Sequence, residues 1–452
     1  MSNSQVFDLV LLGGTVVTPA GQERVDIGVI KGKIAEIGDL SSAEAAETFD
    51  AGGLHILPGV IDSQVHFREP GLEHKEDLAC GTAAAALGGV TGIFEMPNTQ
   101  PNTLFEEDLN DKLSRCENRA WTDHAFFIGA SDENMDDLAE LERLPGCAGI
   151  KIFMGSSTGS LLVEQPEALR AVLTNGTRRS PVHAEDEQRL RERFEMVRDG
   201  AHPKMHPEWR DAEAAVLATT RICALARETG RRVHVLHIST RDELPILEAN
   251  KELITCETTP QHLTLSAPDC YERLGTLAQM NPPVRSEEHR LGLWEGVRRG
   301  IIDVLGSDHA PHTLEEKGKP YPQSPSGMPG VQTLVPVMLD HVNKGNLTLE
   351  RFVDLTAHGP ARIYNIASKG RIVCGYDADF TVVDLERREV ISKDWLASKC
   401  GWSPFEGVEV KGWPVSTIIR GNIVMRDGEL VGDPIGQPVR FEDTIVPTGR
   451  ED

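Results

Sequence analysis

The sequence predicts an α/β chain: a (β/α)8 barrel of the TIM type beside a small β-sandwich domain assembled from the N- and C-terminal segments. Three observations carry that expectation. Eight short apolar runs alternate with longer amphipathic stretches through the middle of the chain. β-branched, Gly-punctuated strand texture opens the chain and returns near its end. Finally, 452 residues exceed the roughly 250–300 that one hydrophobic core usually supports, so a second unit is expected.

In order, FDLVLLGGTVVT (7–18) and VDIGVIKGKIAEIGD (25–39) read as strands separated by Gly turns. The eight central runs are HILPGVID (55–62), VTGIFEMP (90–97), HAFFIGA (124–130), AGIKIF (148–153), SPVHA (180–184), RRVHVLHI (231–238), ELITCET (252–258) and IIDVLG (301–306). Helix-like stretches such as 76–89, 106–118, 135–144 and 215–230 lie between them, and that alternation fits a parallel barrel better than an open sheet. DADFTVVDLE (377–386) and STIIRGNIVMRDGELVG (416–432) restore the strand texture. The expected division is 1–56 for the first part of the β domain, 57–368 for the barrel, and 369–452 for the rest of the β domain and a tail.

Composition narrows the function. Lys plus Arg number 46 against 70 Asp plus Glu, a net charge of −24, which opposes nucleic-acid binding or a polybasic membrane dock. The longest apolar stretches fall far short of the ~20 residues that cross a bilayer, and the N-terminus lacks the basic flank of a signal peptide. Eight scattered cysteines without a CxxC pair read as reduced thiols, so a cytoplasmic enzyme acting on a small molecule is expected.

Chemistry-bearing residues punctuate the carboxyl ends of the barrel runs. His66 follows the first, Lys151 lies in the fourth, His183 closes the fifth, His237 ends the sixth and Asp308 follows the eighth. In a (β/α)8 barrel these ends converge on one face. Three imidazoles, a carboxylate and a lysine there compose a metal site, zinc being the best match. Taken singly, each residue has a bland reading: a satisfied structural His, a paired Lys, a capping Asp. A protonated lysine repels a cation. Desolvated, it is a neutral amine that can take up carbon dioxide and become a two-oxygen carbamate.

These segments resemble the amidohydrolase superfamily and, within it, class I-like dihydroorotases. The resemblance rests on DSQVHFREPG (62–71), EMPNTQP (95–101), GIKIF (149–153), VHAED (182–186), VLHIST (235–240), MNPPVR (280–285) and GSDHAPHTLEEK (306–317). It implies metal-ligand positions at His66, Lys151, His183, His237 and Asp308, for one or two zinc ions, with Lys151 carboxylated. It implies an acid/base role for Asp308 and substrate contacts at Arg68, Asn98, Asn281 and His312, joined by the backbone at Ser326 and Gly327. The implied reaction is reversible hydrolysis of the cyclic amide of dihydroorotate to N-carbamoyl-aspartate in pyrimidine biosynthesis. A homodimer is the expected assembly.

One position departs from the family. Its first metal motif is His-x-His, whereas here Gln64 precedes His66 by two. A neutral amide is a weaker, harder donor than imidazole, so a metal facing Gln64 binds less tightly.

Three rival readings remain. Another cyclic-amide hydrolase, acting on hydantoins, dihydropyrimidines or allantoin, shares most ligands and differs over the substrate carboxylate that Arg68 meets. A non-catalytic scaffold for aspartate transcarbamoylase is favoured by Gln64 and opposed by the other retained residues. Gly155–Gly159 fits the GxSxG elbow by letters, but Pro166 delays the helix that a nucleophile elbow requires. The Gly/Pro-rich stretch 318–330 is the expected lid.

Overall fold

The computed structural model describes residues 6–156 and 161–444. Eight parallel strands form the barrel: β1 (Val60–Val65), β2 (Val90–Glu95), β3 (Asp123–Gly129), β4 (Cys147–Phe153), β5 (Ser180–His183), β6 (Val233–Val235), β7 (Ile254–Thr258) and β8 (Val304–Leu305). The ring closes where the His66 amide donates to His309 O (2.7 Å), just past β1 and β8. Strands β2, β3 and β4 are buried on both faces, which is why they read as continuous apolar runs rather than alternating ones. Helices return the chain between strands. The longest, Ala212–Thr229, starts where Asp211 caps the Ala214 amide and stops at Gly230 in the left-handed conformation (φ 72°).

The run expected as one strand at 55–62 is two. His55–Pro58 pairs with Phe380–Val390 and Thr15–Thr18 in the small domain, and the barrel strand begins only at Val60. Pro58-Gly59 marks the change of sheet.

The small domain consists of a four-stranded and a seven-stranded sheet, drawn from both ends of the chain. Leu9, Ile27, Val29, Ile56, Phe380 and Ile418 share its core. The buried Lys369 ammonium fastens this domain to the barrel, meeting Asp123 (2.6 Å) on β3 and Asp379 (2.6 Å) beside the small sheet. The final segment then leaves the small domain. Val439 donates its amide to His124 O (2.8 Å), and Phe441 packs edge-on against Phe94 inside the barrel floor. The amino end of the barrel is thus plugged, leaving the carboxyl end for a site.

Candidate active site

Seven of the expected residues are brought together. His66, Arg68, Asn98, Asn281, Asp308 and the Ser326-Gly327 backbone, with Ala310, line one enclosed cavity at the carboxyl end of the barrel. They come from the ends of β1, β2, β7 and β8 and from the loop 318–330. Three site residues outside glycine occupy the left-handed region: Arg68 (φ 67°), His237 (φ 37°) and Asp308 (φ 46°). Such backbone costs of order 1–3 kcal/mol per residue and is held only where surrounding packing fixes it.

His66 directs Nδ1 to Asn98 Oδ1 (2.7 Å), which turns the Nε2 lone pair of the neutral ring toward Asp308 Oδ1 (3.3 Å). Burial keeps that ring neutral by lowering its pKa. Gln64 Nε2 donates to the same Asp308 oxygen (3.1 Å), and Gln64 Oε1 is buried without a partner.

Across the barrel, His183 gives Nε2 to Glu185 Oε2 (2.9 Å), so its Nδ1 lone pair faces His237 Nε2 at 3.0 Å. Glu185 is in turn gripped by the Arg210 guanidinium, which with His183 holds its carboxyl far below the usual range despite burial. Burial lowers the pKa of both imidazoles. Lys151 Nζ is buried with no hydrogen-bond partner, 4.3 Å from the Phe153 ring centre. Burial drives its pKa well below the ordinary lysine value, and it lies close enough to Asp308, His183 and His237 to act on their charges. Among the described residues, no three His, Cys, Asp or Glu side chains close into a ligand group by themselves. What converges instead is the His183–His237 pair, in which His237 Nε2–H donates to His183 Nδ1, the His66–Asp308 pair and one desolvated amine.

Arg68 is 1% exposed. Its Nε donates to Pro311 O (3.2 Å), while Nη1 has no partner. Burial lowers its pKa to about 10, leaving it charged at neutral pH. His312 does not line the cavity. It stands behind Arg68, where Lys75 donates to its Nδ1 (3.2 Å), so Nε2–H donates to Ser326 O (3.1 Å). Through that bond it ties the Ser326 backbone to the Arg68 side of the wall. Gly327 likewise offers no free polar group: its amide donates to Gln279 O (2.8 Å) and its carbonyl accepts from Lys317 (3.2 Å). A Cβ there would fall 2.4 Å from Ala310 O at φ 148°, so the position requires glycine.

Sequence reading missed the supporting residues Glu185, Arg210, His206, Glu257 and Gln279. His206 donates from Nε2 to Asn281 Oδ1 (3.0 Å), with burial lowering its pKa to about 3. Glu257, buried on β7 and bonded to His234 Nε2 (3.1 Å), is lifted to about 8 by burial and by Asp308. No spacing in the sequence marks these partners. Of the GxSxG letters, Ser157, Thr158 and Gly159 lie outside the described residues, and Ser156 Oγ donates to Glu187 rather than to an imidazole.

The cavity is about 20 Å³, room for a single water. A cleft of about 560 Å³ lies outside it and shares Asn281 and Ser326 with it. Those two residues separate cavity from cleft, and Pro322–Ser326 of the loop 318–330 line the cleft.

Residues 55–424 match the amidohydrolase family. The chain belongs to that family. Its relatives include a dihydroorotase of Methanothermobacter thermautotrophicus, 37% identical over 410 residues, covering 90% of this chain and 92% of the relative. A dihydroorotase of Pyrococcus furiosus is 36% identical, with 91% and 92% covered, and an allantoinase of Deinococcus radiodurans is 33% identical, with 96% and 98% covered. Among solved structures, the L-hydantoinase (dihydropyrimidinase) from Arthrobacter aurescens superposes with a TM-score of 0.92 at 31% identity, covering 96% of this chain and 99% of that one. Every one of these relatives is a cyclic amide hydrolase, and so is this family member. No helix among the described residues is long and apolar enough to cross a membrane.

Proposed function

We propose that the chain is a metal-dependent dihydroorotase, opening the cyclic amide of dihydroorotate to N-carbamoyl-aspartate and closing it again. The observation that carries this reading is Arg68: a buried, charged guanidinium with an unused Nη1 in the same cavity as His66 and Asp308. An uncharged hydantoin, dihydropyrimidine or allantoin offers it no anion, whereas a ring carboxylate meets its planar fork.

The donor set fits a divalent metal, zinc being the reading its imidazoles favour. His183 and His237 would hold it, with Lys151 completing the set. As a carbamate, Lys151 would add anionic oxygens to a set whose one carboxylate is Asp308, and its desolvated amine is the form that takes up carbon dioxide. His66 and Asp308 are the remaining donors, and Gln64 is a poor third to them. A metal bound there would lower the pKa of a water toward neutrality and polarise the amide carbonyl.

The rest falls to the chain. Arg68 and Asn98, on neighbouring strand ends, fix the carboxylate relative to Asp308. Asp308 takes the proton of the attacking water and returns it to the departing ring nitrogen. Asn281, aligned by His206, hydrogen-bonds the ring edge, and the 318–330 loop excludes water during the reaction. Eight unpaired cysteines support a reducing, cytoplasmic setting.

The test is turnover of L-dihydroorotate by protein reconstituted with zinc in bicarbonate buffer, with and without chelator. Chelator-sensitive ring opening supports the proposal, and metal-loaded protein that leaves dihydroorotate intact refutes it.

A further inference from the structure

Lys317 ends the short helix Leu314–Lys317 and is 1% exposed. Its ammonium lies 2.9 Å from Pro325 O, 3.2 Å from Gly327 O and 3.3 Å from Gln279 O. An ammonium has three N–H donors, so three carbonyls saturate it. Among the described residues no carboxylate pairs with it, and burial alone presses its pKa down to about 7. A buried cation without a counterion is expensive to keep, so a purely structural bridge would be better served by a neutral side chain.

All three carbonyls bear on the cavity wall. Pro325 and Gly327 flank Ser326, and Gln279 O also accepts the Gly327 amide (2.8 Å). A second brace comes from the small domain. Between its strands Phe380–Val390 and Glu409–Ile419 the chain makes an excursion to the barrel face. There Trp402 donates Nε1 to His312 O (2.8 Å), and its ring centre lies 5.7 Å from the Lys317 ammonium. His312 then holds Ser326 O.

We propose that Lys317 is a positioning residue: it pins the 325–327 backbone against Gln279 and so sets the wall that closes over the bound ring. The proposal rests on reading the inner cavity as the substrate site. The ammonium carries the lid's closed geometry, and Trp402 holds that ammonium and His312 in register from outside the barrel. The three carbonyl contacts are in place without a ligand, so the wall is set before the ring arrives.

The experiment compares wild type with Lys317→Met, both metal-loaded, by hydrogen exchange and by steady-state kinetics with L-dihydroorotate. Amides of 322–330 should exchange at least tenfold faster in the variant, while peptides from β3 to β5 keep their protection. KM should rise at least tenfold with kcat within threefold, and metal content should be unchanged. Lys317→Gln, which keeps two donors on a shorter stem, should recover part of the KM, and it carries the test if the Met variant does not fold. Unchanged exchange overturns the proposal, as does faster exchange with an unaltered KM. Exchange is read without substrate. A wild type inert toward dihydroorotate would therefore fail the functional reading alone, and the exchange result would still decide whether Lys317 holds the segment.

Discussion

Gln64 donates its amide N–H to Asp308 Oδ1 across 3.1 Å, at the seam where β1 and β8 close the barrel. A family imidazole at this position would present a lone pair; the amide presents a proton instead. Asp308 is thus held as an acceptor by Gln64, and in place of an imidazole the His66–Asp308 end of the site has only the weaker Gln64 Oε1, buried without a partner.

The consequence is a stoichiometry. Wild type should retain about one tightly bound ion per chain, at Lys151, His183 and His237, and Gln64→His should raise the content toward two. Elemental analysis of dialysed protein decides this. Two ions in wild type, or no gain in the variant, would contradict it.

Replacing Arg68 by Ala removes the cation that meets the carboxylate. Loss of one partner of a buried charged pair costs roughly 2–5 kcal/mol, or about thirtyfold or more in KM for dihydroorotate. The smaller effect is expected on any uncharged cyclic amide that the enzyme accepts. Kinetics on both substrate types separate the two, and an equal loss on both would remove Arg68 from carboxylate binding.

Asp308→Asn keeps the hydrogen-bonding shape but cannot carry a proton. Its kcat should fall roughly 10²–10⁴-fold with KM and metal content little changed, the magnitude of one general acid/base. Single-turnover rates beside metal analysis check it. Full activity in the variant would assign proton transfer elsewhere.

Glu243 gives a pH signature away from the site. It is fully buried, accepts from Thr219 Oγ1 (2.7 Å), and is raised by burial from 4.5 to about 7. A folded pKa above the unfolded one stabilises the fold fully below about 4.5, and that contribution fades as pH rises through 7. Glu243→Gln should therefore gain on wild type between pH 5 and pH 8, by roughly 2–4 °C in relative Tm. Melting curves at both pH values test this, and a constant difference would contradict it.

The barrel was legible because its signals are local: each buried parallel strand is a short apolar run, and the His, Lys and Asp residues fall at fixed places along those runs. The small sandwich was legible as texture at both ends, but the handover at Pro58-Gly59 was not, because one apolar run serves two sheets. The return of Phe441 into the barrel floor left no mark either, since a single aromatic in a polar tail has no period. At the site, Arg68, Asn98 and Asn281 were found through motif resemblance. The strained backbone at Arg68, His237 and Asp308, and the braces Glu185, Arg210 and Lys317, depend on contacts between distant segments. His312, expected beside the substrate, is not among the residues lining the cavity and lies against Arg68, because a motif records that a residue is present and not which way it faces.

The most direct measurement is the ratio of kcat/KM for L-dihydroorotate to that for hydantoin, dihydrouracil and allantoin, on one preparation of metal-loaded wild type. Dihydroorotate should lead by at least a hundredfold, the lead collapsing in Arg68→Ala. Preference for an uncharged ring, or no turnover of dihydroorotate by folded and metal-loaded protein, would contradict it.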